Sequence, residues 1–147
     1  MYKRILVATD GSRLSAKAVA HAISLARAVG ARLVALHASP DYGYVSVSEG
    51  SIRNAPPRKE YEAAAARQAQ QILDGVVKKA ATAGIDCEPV HMLARAPWEA
   101  ILDTARKSKA DAIVMASHGR GGVTALLLGS ETQKVLAHTK LPVTIVR

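Results

Sequence analysis

The residues with the clearest chemical potential lie between positions 111 and 130. An apolar run at 112–115 is followed by a glycine-rich loop that begins near Gly119, and Gly129 directly precedes Ser130. Glycines let backbone N–H groups approach a ligand closely, and the first turn of a helix offers unpaired N–H donors with a partial positive charge. A strand, a glycine-rich loop and a helix start in this order indicate a site for an anion such as a phosphate chain.

The same residues also have a purely structural interpretation. Ser130, Glu131, Thr132 and Gln133 match the S-x-x-Q capping box, in which the serine caps its own helix. The two interpretations are compatible, because backbone donors remain for a ligand even when the serine side chain is engaged.

The elements that would position these residues alternate between strand and helix patterns. Helical periodicity follows the cap-like sequence Asp10-Gly11-Ser12 and ends at Gly30, and further helices are predicted at 59–83, from Pro97 onward and at 130–138. Residues 39–58 show no sustained periodicity and predict a long surface loop, either a lid over a site or a disordered segment. The apolar runs that predict the five strands are 3–9, 31–38, 85–93, 112–115 and 141–147.

Alternating strands and helices predict an α/β fold with a doubly wound, five-stranded parallel sheet and helices on both faces. Prolines are confined mainly to edge strands, strand starts or bulges. Pro89 in the third strand and Pro142 in the fifth therefore favour the order 3-2-1-4-5 over 2-1-3-4-5, although Pro142 also suits a strand start. In the favoured order, strands one and four flank the crevice where such sheets bind ligands, so Asp10 and the glycine loop converge there.

Several familiar sites do not match the sequence. It contains no Walker motif and no G-x-G-x-x-G, and the surroundings of Ser130 are not those of a G-x-S-x-G nucleophile. The five histidines lack metal-ligand spacing, although His118 lies within the loop itself. Cys87 is the only cysteine, so an internal disulfide and a multi-cysteine metal site are excluded.

Composition predicts one domain over residues 1–147. The chain is 49% hydrophobic, and it shows neither a leader pattern nor an apolar run long enough for a membrane span, so a cytoplasmic location is the default expectation. The net charge of +8 suits solvated helix ends and long-range attraction of anions. Few aromatic residues accompany this charge, which does not favour nucleic-acid binding.

Taken together, these residues resemble the universal stress protein family. Ala116 to Gly119, nine further residues, and Gly129-Ser130 are similar to its nucleotide motif G-x2-G-x9-G-[ST], and segments such as ILVATDGS, LVALHA and LPVTIVR stand where that family has them. The resemblance implies the 3-2-1-4-5 sheet, a dimer, which we expect to form through the last strand, and binding of ATP, ADP or AMP, with or without magnesium.

Carried over by position, the resemblance implies one nucleotide pocket. Asp10 would meet the ribose, Ala38 after strand two would border adenine, and Met115 and Ala116 would line the pocket through their backbone. Phosphates would be held by Gly119, Gly129, Ser130 and the backbone of Glu131, and we expect Arg120 to add positive charge.

Ala116 departs from the motif, which has glycine there. If that position required positive φ, alanine would cost on the order of 1 kcal/mol and weaken binding. No catalytic motif arranges the candidates Asp10, Arg120 and Ser130, so we expect a binding or signalling module with slow ATP hydrolysis at most. The alternatives are a protein-interaction dimer that does not need nucleotide and a genuine hydrolase or phosphotransferase.

Overall fold

A computed structural model of the chain describes residues 1–48, 55–119 and 127–147. The strands are β1 (Arg4–Ala8), β2 (Arg32–Pro40), β3 (Cys87–Ala94), β4 (Ala112–Ala116) and β5 (Val143–Val146). The helices are α1 (Arg13–Val29), α2 (Tyr42–Ser48), α3 (Arg58–Thr82), α4 (Pro97–Ser108) and α5 (Ser130–His138). None of the described helices combines the length and the apolar character that crossing a bilayer requires.

The five strands form one parallel sheet in the order β3-β2-β1-β4-β5, which confirms the predicted fold class and order. Pro89 lies in the edge strand β3, where its missing N–H can face outward. Pro142 precedes β5 and its carbonyl accepts a hydrogen bond from the N–H of Ile113 at 2.9 Å. Its position is therefore that of a strand start.

Helices cover the sheet in two pairs. The core on one face joins Val7 of β1 to Val19 of α1 and Leu73 of α3, and the core on the other joins Leu6 of β1 to Ile101 of α4 and Val135 of α5. β1 contributes alternate residues to the two faces, because successive side chains of a strand point to opposite sides. The helices α1 and α3 cover one face of the sheet, and α4 and α5 cover the other. Together with the strand order, this shows that the direction of winding reverses between β1 and β4.

Two sequence predictions need correction in the region after β2. Strand β2 extends to Pro40 rather than ending at Ala38, because β3 continues to pair with Ser39 and Pro40 after β1 has ended. Part of the predicted loop at 39–58 is instead the short helix α2, whose start is stabilised by the Asp41 carboxylate accepting the N–H of Tyr44 at 2.7 Å. Residues 49–54 of that predicted loop lie outside the described residues.

Candidate functional site

A cavity of about 370 Å³ lies at the carboxyl ends of β1 and β4 and the amino end of α5. Eleven of the residues that line it belong to these segments or to the turns beside them: Ala8, Thr9, Asp10, Met115, Ala116, His118, Gly119, Gly129, Ser130, Glu131 and Thr132. The turn after β1 therefore converges, as predicted, with the two described ends of the loop after β4, Gly119 and Gly129, whereas residues 120–126 lie outside the described residues.

The turn after β1 is held in place by local hydrogen bonds. One carboxylate oxygen of Asp10 accepts the N–H of Ser12 at 2.9 Å, and the Thr9 hydroxyl accepts the N–H of Gly11 at 3.2 Å. Gly11 has φ of 80°, a left-handed conformation that glycine adopts without strain. Ser12 then caps α1 by accepting the N–H of Ser15 at 3.2 Å. This turn fixes the backbone from which Asp10 projects.

The second carboxylate oxygen of Asp10 lies against Gly119. A Cβ atom added at position 119 would stand 3.1 Å from this oxygen, which is closer than ordinary van der Waals contact. The lack of a side chain at 119 thus permits the loops after β1 and β4 to meet.

Gly129 serves a close approach between backbone segments. A Cβ there would stand 3.1 Å from the Cα of His118 and 3.3 Å from the carbonyl oxygen of Ser117. The φ of Gly129 is −63°, so its conformation does not require glycine, and its N–H donates to the Ser117 carbonyl at 2.7 Å. Because Gly129 has no side chain, it leaves space in the cavity that it lines. Its N–H holds α5 against the end of β4 through the bond to Ser117.

Thr132 adds a second attachment between α5 and β4. Its buried hydroxyl lies 3.1 Å from both the Ala116 and the Ser117 carbonyl oxygens and donates to them. The amino end of α5 therefore points at the cavity in a fixed direction, and the N–H groups of its first turn have no partner within an α-helix. Those donors and the positive end of the helix dipole favour an anion at Ser130.

The capping box predicted at Ser130 is absent. Helix α5 begins at Ser130, its N-cap is Gly129, and no side-chain cap is present. The serine lies one position inside the helix because Gly129, whose backbone is extended, is the flanking residue whose carbonyl accepts the N–H of Gln133 at 3.0 Å.

The Glu131 side chain caps a different helix. Its carboxylate accepts the N–H of Trp98 at 2.9 Å, in the first turn of α4, whose N-cap Ala96 has no side-chain cap of its own. Its other oxygen lies 4.0 Å from the Nζ of Lys134. The negative charge of Glu131 is thus directed toward α4, while its backbone stays in the wall of the cavity.

The apolar part of the cavity is formed by Leu36, Ala38, Met115, Pro97 and Ile101. Ala38 lines it from within β2. Ala116 is the last residue of β4, and it is not among the positive-φ residues of the described chain. Alanine therefore carries no conformational penalty at the position where the family motif has its first glycine.

The cavity gathers all of the predicted site residues but one. Asp10, Ala38, Met115, Ala116, Gly119, Gly129, Ser130 and Glu131 all line it, whereas Arg120 lies outside the described residues. Sequence reasoning did not assign the other lining residues to the site, which are Ala8, Thr9, Ser15, Leu36, Pro97, Ile101, His118 and Thr132. The helix-start proline at 97 was the available signal for α4, but only the fold brings α4 across the sheet to this cavity.

Two histidines, His37 within β2 and His91 within β3, form a pair next to the turn after β1. The Nδ1–H of His37 donates to the Thr9 carbonyl at 2.9 Å, which links β2 to the turn that carries Asp10. The rings of His37 and His91 are stacked with centroids 6.1 Å apart, and the Nε2 of His91 lies 2.9 Å from the Ser39 hydroxyl. Burial, and secondarily the neighbouring His37, lower the pKa of His91 below 6.5.

Most of the polar side chains that line the cavity are engaged in maintaining the fold. The Ser15 hydroxyl is 3.0 Å from that of Thr9 and donates to the Ser12 carbonyl, and Thr132 and Glu131 are bonded as described above. No group of three metal-ligating side chains occurs among the described residues. The arrangement offers backbone donors and an apolar pocket, which suits binding of a ligand with an anionic end and a flat apolar end.

Comparisons with known proteins agree with this geometry. The model of the universal stress protein family matches residues 1–147. A universal stress protein of Thermus aquaticus is 39% identical, with both chains covered completely. The Bacillus subtilis universal stress protein YxiE is 32% identical, also over the whole of both chains.

Solved structures give the same result for the fold. Universal stress protein UspA of Lactobacillus plantarum superposes with a TM-score of 0.83 at 25% identity, covering 99% of this chain and 98% of that one. A universal stress protein in complex with cAMP superposes with a TM-score of 0.65 at 27% identity, covering 99% and 97%.

Proposed function

The chain belongs to the universal stress protein family, and from that premise we propose that it binds adenine nucleotides and acts as a nucleotide-responsive module in a stress response or signalling pathway. One observation carries the proposal. The turns after β1 and β4 and the amino end of α5 surround a single cavity that has backbone donors at one end and apolar walls at the other. The cAMP bound by a related protein of 27% identity supports an adenine nucleotide as the ligand.

In the proposed complex, the base lies beside Ala38 and the backbone of Met115 and Ala116. The phosphates of ATP, ADP or AMP lie at Gly119 and at the first turn of α5, formed by Ser130 and Glu131. Gly129 gives room for them, Asp10 meets the ribose, and Arg120 adds positive charge.

Magnesium would enter this site together with the phosphates. Mg²⁺ is usually bound through one or two carboxylates and the oxygens of a substrate phosphate rather than by an all-protein cage. Of the two described carboxylates that line the cavity, that of Asp10 is the one beside Gly119, where the phosphates would lie; it would hold magnesium when the metal is present and meet the ribose when it is absent. Magnesium would supply charge neutralisation of the phosphates.

Binding rather than turnover is the proposed role. Rapid phosphoryl transfer requires a cationic clamp and a group that orients the attacking water. Among the described residues, the Ser15, Thr132 and Glu131 side chains are already bonded within the fold, and no base is hydrogen-bonded to Ser130. Any ATP hydrolysis is therefore slow.

Equilibrium titration of the purified protein with ATP, ADP, AMP and cAMP, each with and without magnesium, tests the proposal. We expect saturable binding that weakens in Asp10→Ala and persists in Lys78→Ala, a surface control on α3. Absence of saturable binding at millimolar ligand would refute it. Phosphate release lost in both Asp10→Ala and Ser130→Ala would instead favour the hydrolase alternative.

We also propose that two copies pair through β5. The carbonyl of Pro142 accepts the N–H of Ile113 in β4, and that of Val146 accepts the N–H of Ser117 just after β4. The strand's period of two therefore directs the backbone groups of Val143 and Ile145 to the outer edge of the sheet. In the described part of the chain, no strand pairs with that edge. An unprotected edge of this kind favours pairing with another strand.

Light scattering of wild type and Ile145→Pro tests the pairing. The proline removes an outward N–H without breaking a bond to β4, so we expect a dimer in wild type and a folded monomer in the variant. Ile145→Val is the matched control and should remain dimeric. A monomeric wild type at tens of micromolar protein, roughly the range of weak homodimers, would refute the pairing.

A further inference from the structure

A second concavity, the side cavity, opens from the wall of the first. The two share Ala38, Pro97 and Glu131, and the side cavity continues from there toward Tyr44, Arg95 and Lys134. Its volume is about 320 Å³, close to the 370 Å³ of the first cavity. A ligand in the first cavity that carried a further group on its Ala38 side could extend that group into the side cavity.

The side cavity is lined by two cations and one carboxylate. Among the described residues, the exposed side chain of Arg95 makes no hydrogen bond and no ion pair, and the Nζ of Lys134 lies 4.0 Å from Glu131, at the outer limit of an ion pair. The other carboxylate oxygen of Glu131 is occupied by the N–H of Trp98. The balance of charge therefore favours an anion in this space.

The remaining walls suit an organic group rather than a bare ion. Tyr44 of α2 is half exposed at 52%, and Pro97 at the start of α4 adds an apolar surface to the lining. An anion that entered on a short carbon chain would have apolar contacts along the chain and cationic contacts at its end.

We propose that the side cavity binds an anionic group attached to the base of an adenine nucleotide, so that the ligands of this protein include adenylates with an acidic substituent on the exocyclic amino group. The inference rests on the proposed function, because it requires the base to lie beside Ala38. It goes beyond that function by assigning Arg95 and Lys134 to selection among nucleotides.

The test compares three ligands by isothermal titration: AMP, AMP with a short carboxyalkyl chain on its exocyclic nitrogen, and the matched carboxamide. The carboxylate and carboxamide differ in charge and hardly in size. We expect wild type to bind the carboxylate about fivefold more tightly than the carboxamide, which is the scale of partly exposed ion pairs. A titration of AMP in the presence of free propionate distinguishes an attached anion from a separate one.

Two double variants carry the same change of net charge. In Arg95→Gln with Lys134→Gln, the preference for the carboxylate should fall to about one while AMP affinity changes by less than about twofold. In the control, Lys78→Gln with Lys79→Gln, the preference should persist. Equal binding of carboxylate and carboxamide by wild type, with AMP bound, would overturn this inference alone.

Other outcomes are equally decisive. The inference would also be overturned if the variant of Arg95 and Lys134 kept its preference for the carboxylate over the carboxamide. The same holds if free propionate raised the affinity for AMP as much as the attached carboxylate does. Failure of all three ligands to bind would overturn the proposed function together with the inference.

Discussion

The Asp10 carboxylate approaches Gly119 across the crevice between β1 and β4, with only 3.1 Å between Oδ2 and the position that a Cβ at 119 would take. The two residues are 109 positions apart in the sequence. Their approach brings the turn after β1 and the start of the loop after β4 to one site, and it depends on the absence of a side chain at 119.

Gly119→Ala should weaken nucleotide binding more than it lowers stability. The new methyl group would displace the Asp10 side chain, which can rotate, so the backbone need not move. We expect affinity to fall about fivefold, equivalent to roughly 1 kcal/mol, by titration. Gly75→Ala, where a Cβ meets nothing within 4 Å, is the control and should leave affinity unchanged.

Gly129→Ala should destabilise the fold itself. Its Cβ would meet the Cα of His118 and the carbonyl of Ser117, which are backbone atoms that cannot rotate away. We expect the free energy of unfolding in urea to fall by about 1–3 kcal/mol. Gly75→Ala in α3 should have the opposite sign, a gain of about 0.5–1 kcal/mol, because glycine is unfavourable within a helix. Equal stability of Gly129→Ala and wild type would contradict the close approach.

Glu131→Ala should destabilise α4, although Glu131 belongs to α5. Loss of the acceptor for the N–H of Trp98 removes the one side-chain cap that the described residues supply at the amino end of α4, and a lost helix cap costs about 1 kcal/mol. Glu131→Gln keeps a carbonyl acceptor and should recover most of the loss in urea unfolding. If the two variants were equally unstable, the charge rather than the hydrogen bond would be responsible.

Cys87 should react slowly in the folded protein. Burial, together with the nearby Asp86, raises the pKa of this thiol from 9.0 to about 11. The thiolate fraction near neutral pH is then about a hundredfold below that of the unfolded chain. Labelling with a thiol reagent should be slow in buffer and fast in urea, and Cys87→Ser supplies the blank. Rapid labelling without denaturant would contradict the assignment.

Acidification should lower stability through His91. Its pKa is lowered in the folded state, so the unfolded chain binds more protons near and below pH 6.5, and stability falls as the pH decreases through that value. Urea midpoints at about pH 8 and about pH 5.5 measure the fall. His91→Gln should reduce the difference, whereas His21→Gln, an exposed histidine on α1, should not. An unchanged difference in His91→Gln would exclude His91 as the cause.

The order of the sheet could be predicted because single residues constrain it locally. Pro89 cannot donate a hydrogen bond to a neighbouring strand, and this property of its ring holds in any context. The glycine stop at Gly30 and the helix start at Pro97 have the same local character, and both are observed. The extension of β2 to Pro40 could not be predicted, because it depends on a pairing with β3 that is remote in sequence.

The sequence by itself determined the five strands, the four longer helices, the order of the sheet and the two loops that form the candidate site, because these follow from periodicity, backbone restrictions and motif spacing. Only the tertiary structure decided the roles within the site. Glu131 caps α4, Gly129 permits a close backbone approach, and Ala116 lies in a regular strand. Each of these roles depends on contacts between segments that are distant in the sequence, and such contacts cannot be predicted from the local sequence of either segment.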